Sequence, residues 1–409
     1  MQQLVSEVLS RIERASSRLR RRRAVDQQRH EATVRALVSD LVHGTLLSPG
    51  QRIAVPMAKA ALGTKTRQVP FMTEMFADTV RDVCHVDLGV ADLQLGYKTQ
   101  LGSQRSTVGA GQWLVNRAED LEVSPSDIGR DRTLAGDSLI LNAPKVRGKQ
   151  RRLLIPDTEN VRELRREMEE INDWIAEADI EYIFCPIDDR IDTGNRYLRR
   201  VFSNGSLGQG GRLFHGFWIP MSEEKRLAGI VVDGEPLVSL DFAQMALRVA
   251  YGEVGVPAPA GDLYDVPGYA ANRIGLKKVI NALMASDGVP SRMPRGTRRY
   301  FSPRLKFDQI YRAICAHHPA VVPLFGTASS LRFMNTESRV IVKALLELKA
   351  LGVVALPVHD CLLVGEGSEA IAKEVLEQSF RTITGTEGRV EVERKHLEGS
   401  CVSPLKKGA

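Results

Sequence analysis

The 409-residue sequence predicts an α+β protein with an antiparallel sheet, because long helical patterns and two β-hairpin patterns share its second half. Apolar residues recur at helical spacing in four segments: 159–178, 262–285, 329–350 and 368–384. Two other segments, IVVDGEPLVSLDF (230–242) and VVALPVHDCLLVG (353–365), each hold a turn between two apolar runs. Hairpin strands pair antiparallel, so the sheet is expected to be antiparallel.

The composition favours a folded protein in a reducing compartment. Hydrophobic residues make up 43% and charged residues 26% of the chain, which excludes wholesale disorder. None of the five cysteines forms a CxxC pair, which argues against a zinc ribbon or a disulfide framework. Glu7 and Arg11 interrupt the apolar N-terminal stretch, so neither a signal peptide nor a membrane span is expected. We expect a cytoplasmic or nucleoid-associated protein.

The charge balance permits an anionic partner without requiring one. Lys and Arg number 56 against 50 Asp and Glu, a formal net charge of +6. The densest basic run is RLRRRR, within a predicted helix or helix pair at 2–43. Its cations, Arg20, Arg21, Arg22 and Arg23 among them, form either a solvated helix face or a clamp on a phosphate backbone. Residues 1–148 are assigned to a basic, mostly helical accessory region.

Two aspartates carry the strongest chemical signal. Asp241 ends an apolar strand pattern and precedes a helical one, and Asp360 lies in a tight turn between two apolar runs. Two adjacent carboxylates are what a two-metal phosphoryl-transfer site requires, and Mg²⁺, with Mn²⁺ as a substitute, suits such ligands. Each aspartate could instead be an N-cap or a turn residue, and sequence spacing does not show that they meet.

The segments around these aspartates resemble, in order, the signature of family A DNA polymerases. The matching segments are GGRLFHGFWIP, VSLDFAQMALRVAYG, RIGLKKVINALMASDG and LPVHDCLLV, within about residues 197–400. The resemblance implies a right-hand polymerase fold with an antiparallel palm sheet, helical fingers and thumb-like helices. The implied regions are a thumb-like one at 149–200, palm at 201–261 and 331–409, and fingers at 262–330.

The resemblance also implies roles for single residues. Asp241 and Asp360 would be the catalytic, metal-binding carboxylates of motifs A and C. Lys278, supported by Arg273, would hold the phosphates of the incoming nucleotide, although Lys277 has the family's spacing from Arg273. Gln244 and Ala246 would line the nucleotide site. Nucleic acid would be contacted by Arg212, Arg248, His359 and Asn335.

Three positions depart from the family pattern. Ala246 replaces the motif A glutamate that excludes a 2′-hydroxyl, Cys361 replaces the glutamate of motif C, and Ser286-Asp287-Gly288 replaces the Tyr-Gly that ends motif B. These small residues predict weak discrimination between ribose and deoxyribose. A proofreading domain is not expected, since the D-x-E at Asp157 lies only about 80 residues before Asp241 and fits a helix N-terminus.

The predicted function is therefore a template-dependent nucleotidyltransferase that extends a 3′-hydroxyl. Its partners would be a primed nucleic-acid template and nucleoside triphosphates, with no membrane. We expect a monomer, to which accessory replication proteins could be added. The alternatives are a primase or single-subunit RNA-polymerase-like enzyme, and a catalytically silent palm protein that binds nucleic acid. His317 and His318 are expected to form a surface pair, and Phe217 and Trp218 to belong to the core.

Overall fold

The computed structural model describes residues 1–16, 20–58, 62, 73–99, 102–124, 127–128, 136–183 and 191–394. Its contacts divide the chain into two compact units. The first comprises the described parts of Met1–Asp137 and Asp188–Gly194, and the second those of Ser138–Ile187 and Asn195–Ala409. Within the described residues, no helix has the length and apolarity needed to cross a membrane.

In its described residues, the first unit combines four helices with a small antiparallel sheet. The helices are α1 (Gln2–Ala15), α2 (Ala24–Leu47), α3 (Glu74–Val83) and α4 (Gln112–Asp120). The strands β1 (Arg52–Ala54), β2 (Ala91–Gln94) and β5 (Thr107–Ala110) pair in the order β1-β5-β2, and β3 (Tyr97–Lys98) pairs with β4 (Ser103–Gln104). The helix pair at the N-terminus is confirmed, and its buried face includes Leu4, Val8, Val34 and Leu41.

The second unit begins with a four-stranded sheet. Its strands are β6 (Leu139–Asn142), β7 (Arg152–Leu153), β9 (Arg199–Ser203) and β10 (Ser206–Phe214), in the order β10-β9-β6-β7. Because β6 pairs in parallel with β9, the second unit starts at Ser138, ten residues or so before the expected boundary. Helix α5 (Glu159–Glu177) begins where the sequence predicts, with the Thr158 hydroxyl accepting a hydrogen bond from the Val161 amide.

A six-stranded sheet carries the two predicted hairpins. Its strands are β8 (Ile180–Tyr182), β11 (Ile230–Val232), β12 (Glu235–Phe242), β13 (Ala355–Val358), β14 (Cys361–Gly365) and β15 (Val390–Glu393). Strand β12 is central, since it pairs antiparallel with β14 on one side and with β11 and then β15 on the other. Both hairpins and the antiparallel sheet are confirmed.

Helices cover this sheet and form the rest of the second unit. They are α6 (Glu223–Gly229), α7 (Met245–Glu253), α8 (Arg273–Ala285), α9 (Phe307–His317), α10 (Ser330–Ala350) and α11 (Glu369–Thr384). The long helix α10 packs against β10, α5, α7 and α11. The mixed α+β class is therefore correct.

Two expectations about local structure are wrong. The helical pattern at 262–285 becomes a helix only from Arg273, because Gly261, Pro267 and Gly268 break the preceding stretch into turns. His318 is fully buried instead of lying at the surface, and it bonds to the Tyr251 hydroxyl and the Leu263 carbonyl. Phe217 and Trp218 belong to the core, as expected.

Candidate active site

The register of β12 against β14 brings the two aspartates together. Asp241 stands opposite Cys361 in the ladder, and Asp360 immediately precedes Cys361 in the turn from β13. The buried residues Leu240 and Leu362 form the preceding pair of the ladder, so the core fixes the backbone below the two carboxylates. Residues 119 positions apart in sequence therefore meet at one end of the sheet.

The backbone beside each aspartate is in a rarely occupied conformation. Gln244, the N-cap of α7 and three residues after Asp241, has φ 59°, and His359, which precedes Asp360 in the turn, has φ 61°. An L-residue in the left-handed region costs about 1 kcal/mol or more, and such residues cluster at functional sites. A strained turn thus follows the strand that carries Asp241, and a second strained turn carries Asp360.

The surroundings of Asp241 disfavour its charged form. Burial and then repulsion from Asp360 raise its pKa to about 7, against the opposing effects of the Phe242 amide and Lys277. Part of the carboxylate surface is accessible to water, but protein surrounds it on the remaining sides. A divalent cation would relieve this repulsion, and two carboxylates suffice for Mg²⁺, which keeps water and phosphate oxygens as its other ligands.

The carboxylate pair is the donor set that fits the expected metal. Among the described residues, no group of three or more His, Cys, Asp or Glu side chains could enclose an ion by itself. A metal cage built from protein side chains alone is therefore not present in this part of the chain.

Arg212, on β10, lies beside this pair and is shared by two carboxylates. Its Nη2 atom is 2.7 Å from Glu337 Oε2 and 3.6 Å from Asp360 Oδ1. Within the described part of the chain, its buried Nε atom has no hydrogen-bond partner, and neither has the buried Nδ1 atom of His359. Burial, followed by the charge of Arg212, lowers the pKa of His359, so this ring is neutral at pH 7. Two unsatisfied polar atoms next to the carboxylates leave hydrogen-bonding capacity for a ligand.

Lys277 and Lys278 point to different partners. Both are exposed on α8, but it is Lys277 whose charge lowers the pKa of Asp241. Lys278 Nζ donates to the Tyr300 hydroxyl at 2.9 Å and also lies 4.7 Å from the centre of that ring. The charge effect of Lys277 on Asp241, together with the bond of Lys278 to Tyr300, favours Lys277, the residue at the family's spacing, as the lysine closer to Asp241.

Asp262 gathers the other predicted nucleotide-site residues into one network. Its carboxylate accepts hydrogen bonds from Arg273 and, at 3.1 Å, from Gln244 Nε2. Arg248 is buried, and its Nη2 atom donates to Gln244 Oε1 at 3.1 Å. The buried Arg248 therefore stabilises the turn at Gln244, and Arg273 is paired with the Asp262 carboxylate.

Asn335 supports the backbone of β10. Its amide donates to the carbonyls of Leu207 and Gly210, at 3.0 and 3.3 Å, where β10 departs from regular pairing. Gly211 has φ 92° and approaches α10 so closely that a Cβ would lie 3.1 Å from Asn335 Nδ2. Asn335 thus fixes the strand that carries Arg212.

Ala246 and Cys361, the small residues at two positions that depart from the family pattern, add no charge to the site. Ala246 is half-buried on the second residue of α7. Burial raises the pKa of the Cys361 thiol to about 12, and its Sγ atom lies 3.0 Å from the Ser239 hydroxyl. Cys361 is therefore an uncharged neighbour of the carboxylate pair and contributes no thiolate ligand.

The arginine run lies in the first unit, whereas every other predicted site residue lies in the second. Arg22 is largely buried and pairs with Asp82 at 3.1 Å, and Arg23 pairs with Asp26 at 2.8 Å. Arg20 and Arg21 are exposed. Half of the run is thus engaged within the first unit.

Sequence reasoning missed a basic segment at 288–307. It contains no acidic residue, and its six cations are all exposed: Arg292, Arg295, Arg298, Arg299, Arg304 and Lys306. The rest of the chain carries 50 basic and 50 acidic residues, so this segment accounts for the whole net charge. It joins the site through Tyr300, whose hydroxyl accepts from both Arg299 and Lys278. A count of charge by segment would have found it.

Glu337 and Asp262 were also missed. The helical pattern of α10 gives no sign that Glu337 faces inward, since it lies between polar residues in sequence. Asp262 lay in a stretch assigned to a helix. Only the three-dimensional arrangement connects these two acids to the site.

Comparison with solved protein structures finds matches that include a DNA polymerase domain. The POL domain of Pol1 from M. smegmatis, solved in complex with DNA primer-template and dNTP, aligns with 96% of this chain and 69% of its own. The sequence identity is 13% and the TM-score 0.33. No protein-family model matches the chain, and no curated protein does. So weak a likeness does not establish a common fold. The function is therefore inferred from the residues of the site.

Proposed function

We propose that this protein is a template-dependent nucleotidyltransferase that adds nucleotides to a 3′-hydroxyl, with Asp241 and Asp360 as its metal-binding carboxylates. The observation that carries the proposal is the convergence of these two residues at one end of the β12–β14 ladder, with a strained residue close to each. Bound there, a pair of Mg²⁺ ions would activate the attacking hydroxyl and stabilise the leaving pyrophosphate.

The surrounding cations suit the substrates of such a reaction. Lys277, an exposed residue of α8 whose charge lowers the pKa of Asp241, would neutralise the phosphates of an incoming nucleotide. Arg212 and His359, each with a buried nitrogen that has no partner among the described residues, would orient the strand end whose hydroxyl reacts. Lys278 and Arg273, already paired with Tyr300 and Asp262, would support these contacts.

A nucleic-acid strand is the partner that the basic segment 288–307 fits best. Six exposed cations spread over 20 residues match an extended chain of phosphates better than a single triphosphate. None of the six makes an ion pair within the described part of the chain, and the guanidinium groups of Arg292, Arg295 and Arg304 donate no hydrogen bond there either. They are therefore available to an external polyanion.

The use of ribonucleotides is a second part of the proposal. Ala246 offers neither the bulk nor the charge of a carboxylate against a 2′-hydroxyl, and Cys361 is an uncharged thiol. These features favour an enzyme that accepts both sugars, including one that starts chains in the manner of a primase.

Primer extension tests the proposal. The purified chain would be given Mg²⁺, a labelled primer on a DNA or an RNA template, and either dNTPs or rNTPs. A reaction without primer would test chain initiation. We expect extension that depends on template and on Mg²⁺, with rNTP and dNTP efficiencies within about a hundredfold of each other.

Two results would count against it. Absence of incorporation on every template, despite tight nucleic-acid binding, would favour the silent palm protein. Incorporation of dNTPs alone, with rNTPs rejected by several orders of magnitude, would remove the relaxed sugar choice and leave the transferase.

A further inference from the structure

One guanidinium nitrogen serves two carboxylates beside the candidate metal site. Arg212 Nη2 donates to Glu337 at 2.7 Å, whereas Asp360 lies at 3.6 Å from the same atom, beyond a good hydrogen bond. Glu337 is 5% exposed, and Asp360 keeps about a third of its side-chain surface accessible. The buried Glu337 therefore forms the hydrogen-bonded pair with Arg212, and the more accessible Asp360 is only loosely paired with it.

The helix that carries Glu337 is locked onto the strand that carries Arg212. Ser338 Oγ donates to the Gly211 carbonyl, and Asn335 donates to the Gly210 carbonyl. Arg200 Nε, also buried, donates to the same Gly211 carbonyl at 3.2 Å. Glu337 and Arg212 thus stand on backbones that cannot move apart independently.

Removal of the Glu337 charge would give Arg212 a different partner. A buried carboxylate needs a cation, and a guanidinium released from one carboxylate binds the next one within reach. For Arg212 that neighbour is Asp360, only 3.6 Å away. A direct Arg212–Asp360 pair would compete with a divalent cation for the same oxygen atoms, and Cys361 offers no carboxylate to replace them.

We propose that Glu337 is a positioning residue that holds Arg212 off Asp360 and so keeps the Asp360 carboxylate available to a divalent cation. The inference rests on the proposed function in that Asp241 and Asp360 are taken as the metal ligands. It goes further in assigning a role to an acid that neither the motifs nor the comparisons single out.

Calorimetric titration of the full chain with Mn²⁺, without nucleotide, measures this role directly. Loss of a residue that orients a metal ligand typically weakens metal binding about 10- to 100-fold. We expect E337Q to weaken Mn²⁺ binding by about tenfold or more and E337D to weaken it less. The double variant E337Q/R212Q should bind Mn²⁺ at least as tightly as the unmodified protein, because the competing cation is gone.

The control is E347Q, on the same helix. Glu347 bonds to Ser379 and Lys343 and has no contact with Arg212 in the described chain, so its loss should leave Mn²⁺ affinity unchanged. Thermal melting of each variant separates a loss of fold from a loss of affinity. If E337Q unfolds, the comparison of E337D with the double variant still measures the competition.

The outcomes separate this inference from the function on which it rests. Unchanged affinity in E337Q, or a double variant as weak as E337Q, would overturn the positioning role alone. If the unmodified protein bound no Mn²⁺, or bound it equally well as D241N, the metal site and the inference would both fail.

Discussion

At the scale of single residues, the site is governed by which cation faces which carboxylate. The charge of Lys277 lowers the pKa of Asp241, and Asp360 has Arg212 beside it at 3.6 Å. Both cations could interact with the phosphates of a substrate. Cations placed in this way create a positive potential that attracts a polyanionic substrate.

Lys277 and Lys278 are expected to behave differently on substitution. K277A should raise KM for the incoming nucleotide about 10- to 100-fold, the usual range for loss of a charge-assisted contact. K278A should change it by less than about threefold, because its ammonium group is already held by Tyr300. Steady-state kinetics with varied nucleotide checks this, and a larger effect in K278A would reverse the assignment.

His318 should make stability fall in mild acid. Burial lowers its pKa to about 4 from an ordinary value of 6.5, so the folded protein keeps the ring neutral while the unfolded chain protonates it. The unfolded state then binds the extra proton, and stability is lost as pH falls from about 6.5 to 4, by on the order of 3 kcal/mol.

Urea denaturation at pH 7.5 and pH 4.5 measures this loss. H318Q should lack most of the pH dependence, although it should also be less stable at pH 7.5, because the bonds to Tyr251 and Leu263 are altered. H317Q, at the half-buried neighbouring position, is the control and should keep the dependence. Equal pH dependence in all three proteins would show that another group is responsible.

At the scale of elements, the basic segment 288–307 is the part of the chain best suited to a phosphate backbone. Neutralisation of Arg292, Arg295 and Arg304 to Gln should weaken binding to single-stranded DNA. Because each phosphate contact contributes about 0.7 to the slope of log affinity against log salt, the slope should fall by about 2. Fluorescence anisotropy over a series of salt concentrations measures it.

A second triple variant, which loses three positive charges outside segment 288–307, is the matched control. Arg162, Arg166 and Arg312 are exposed and each pairs with a nearby acid, so their change to Gln should alter the slope by less than about 0.5. Equal slopes for the two triple variants would mean that net charge, and not this surface, determines binding.

The elements themselves were largely predictable from sequence. Both hairpins follow from turn residues between apolar runs, and α5, α10 and α11 begin and end within about two residues of their predicted bounds. The start of α8 was missed because apolar spacing continues through Leu263 and Val266, which are buried by turns and not by a helix. Apolar periodicity in a sequence indicates which residues are buried. It does not show whether a helix or a series of turns buries them.

The site was predictable only where a motif marked it. Asp241 and Asp360 could be named, but their meeting depends on the β12–β14 register, which no local pattern encodes. The choice between Lys277 and Lys278 depends on the helical phase of α8 and on Tyr300, 22 residues further along. Glu337 depends on how α10 is rotated against β10.

At the scale of the whole molecule, charge is distributed unevenly over a nearly neutral chain. Outside 288–307, basic and acidic residues balance at 50 each, and many of the first unit's arginines are paired within that unit. The second unit holds the carboxylate pair, Arg212, Lys277 and the basic segment. We therefore expect the second unit to contain the chemistry and its immediate nucleic-acid contacts.

The most direct measurement is single-nucleotide incorporation with Mg²⁺ by the unmodified protein, D241N, D360N and the surface control D308N. Asp308 lies on α9 and pairs with Arg312 one turn along. The account predicts incorporation by the unmodified protein and by D308N, and a loss of about a thousandfold or more in D241N and in D360N, with primer-template binding kept. Incorporation by either D241N or D360N at the rate of the unmodified protein would contradict it.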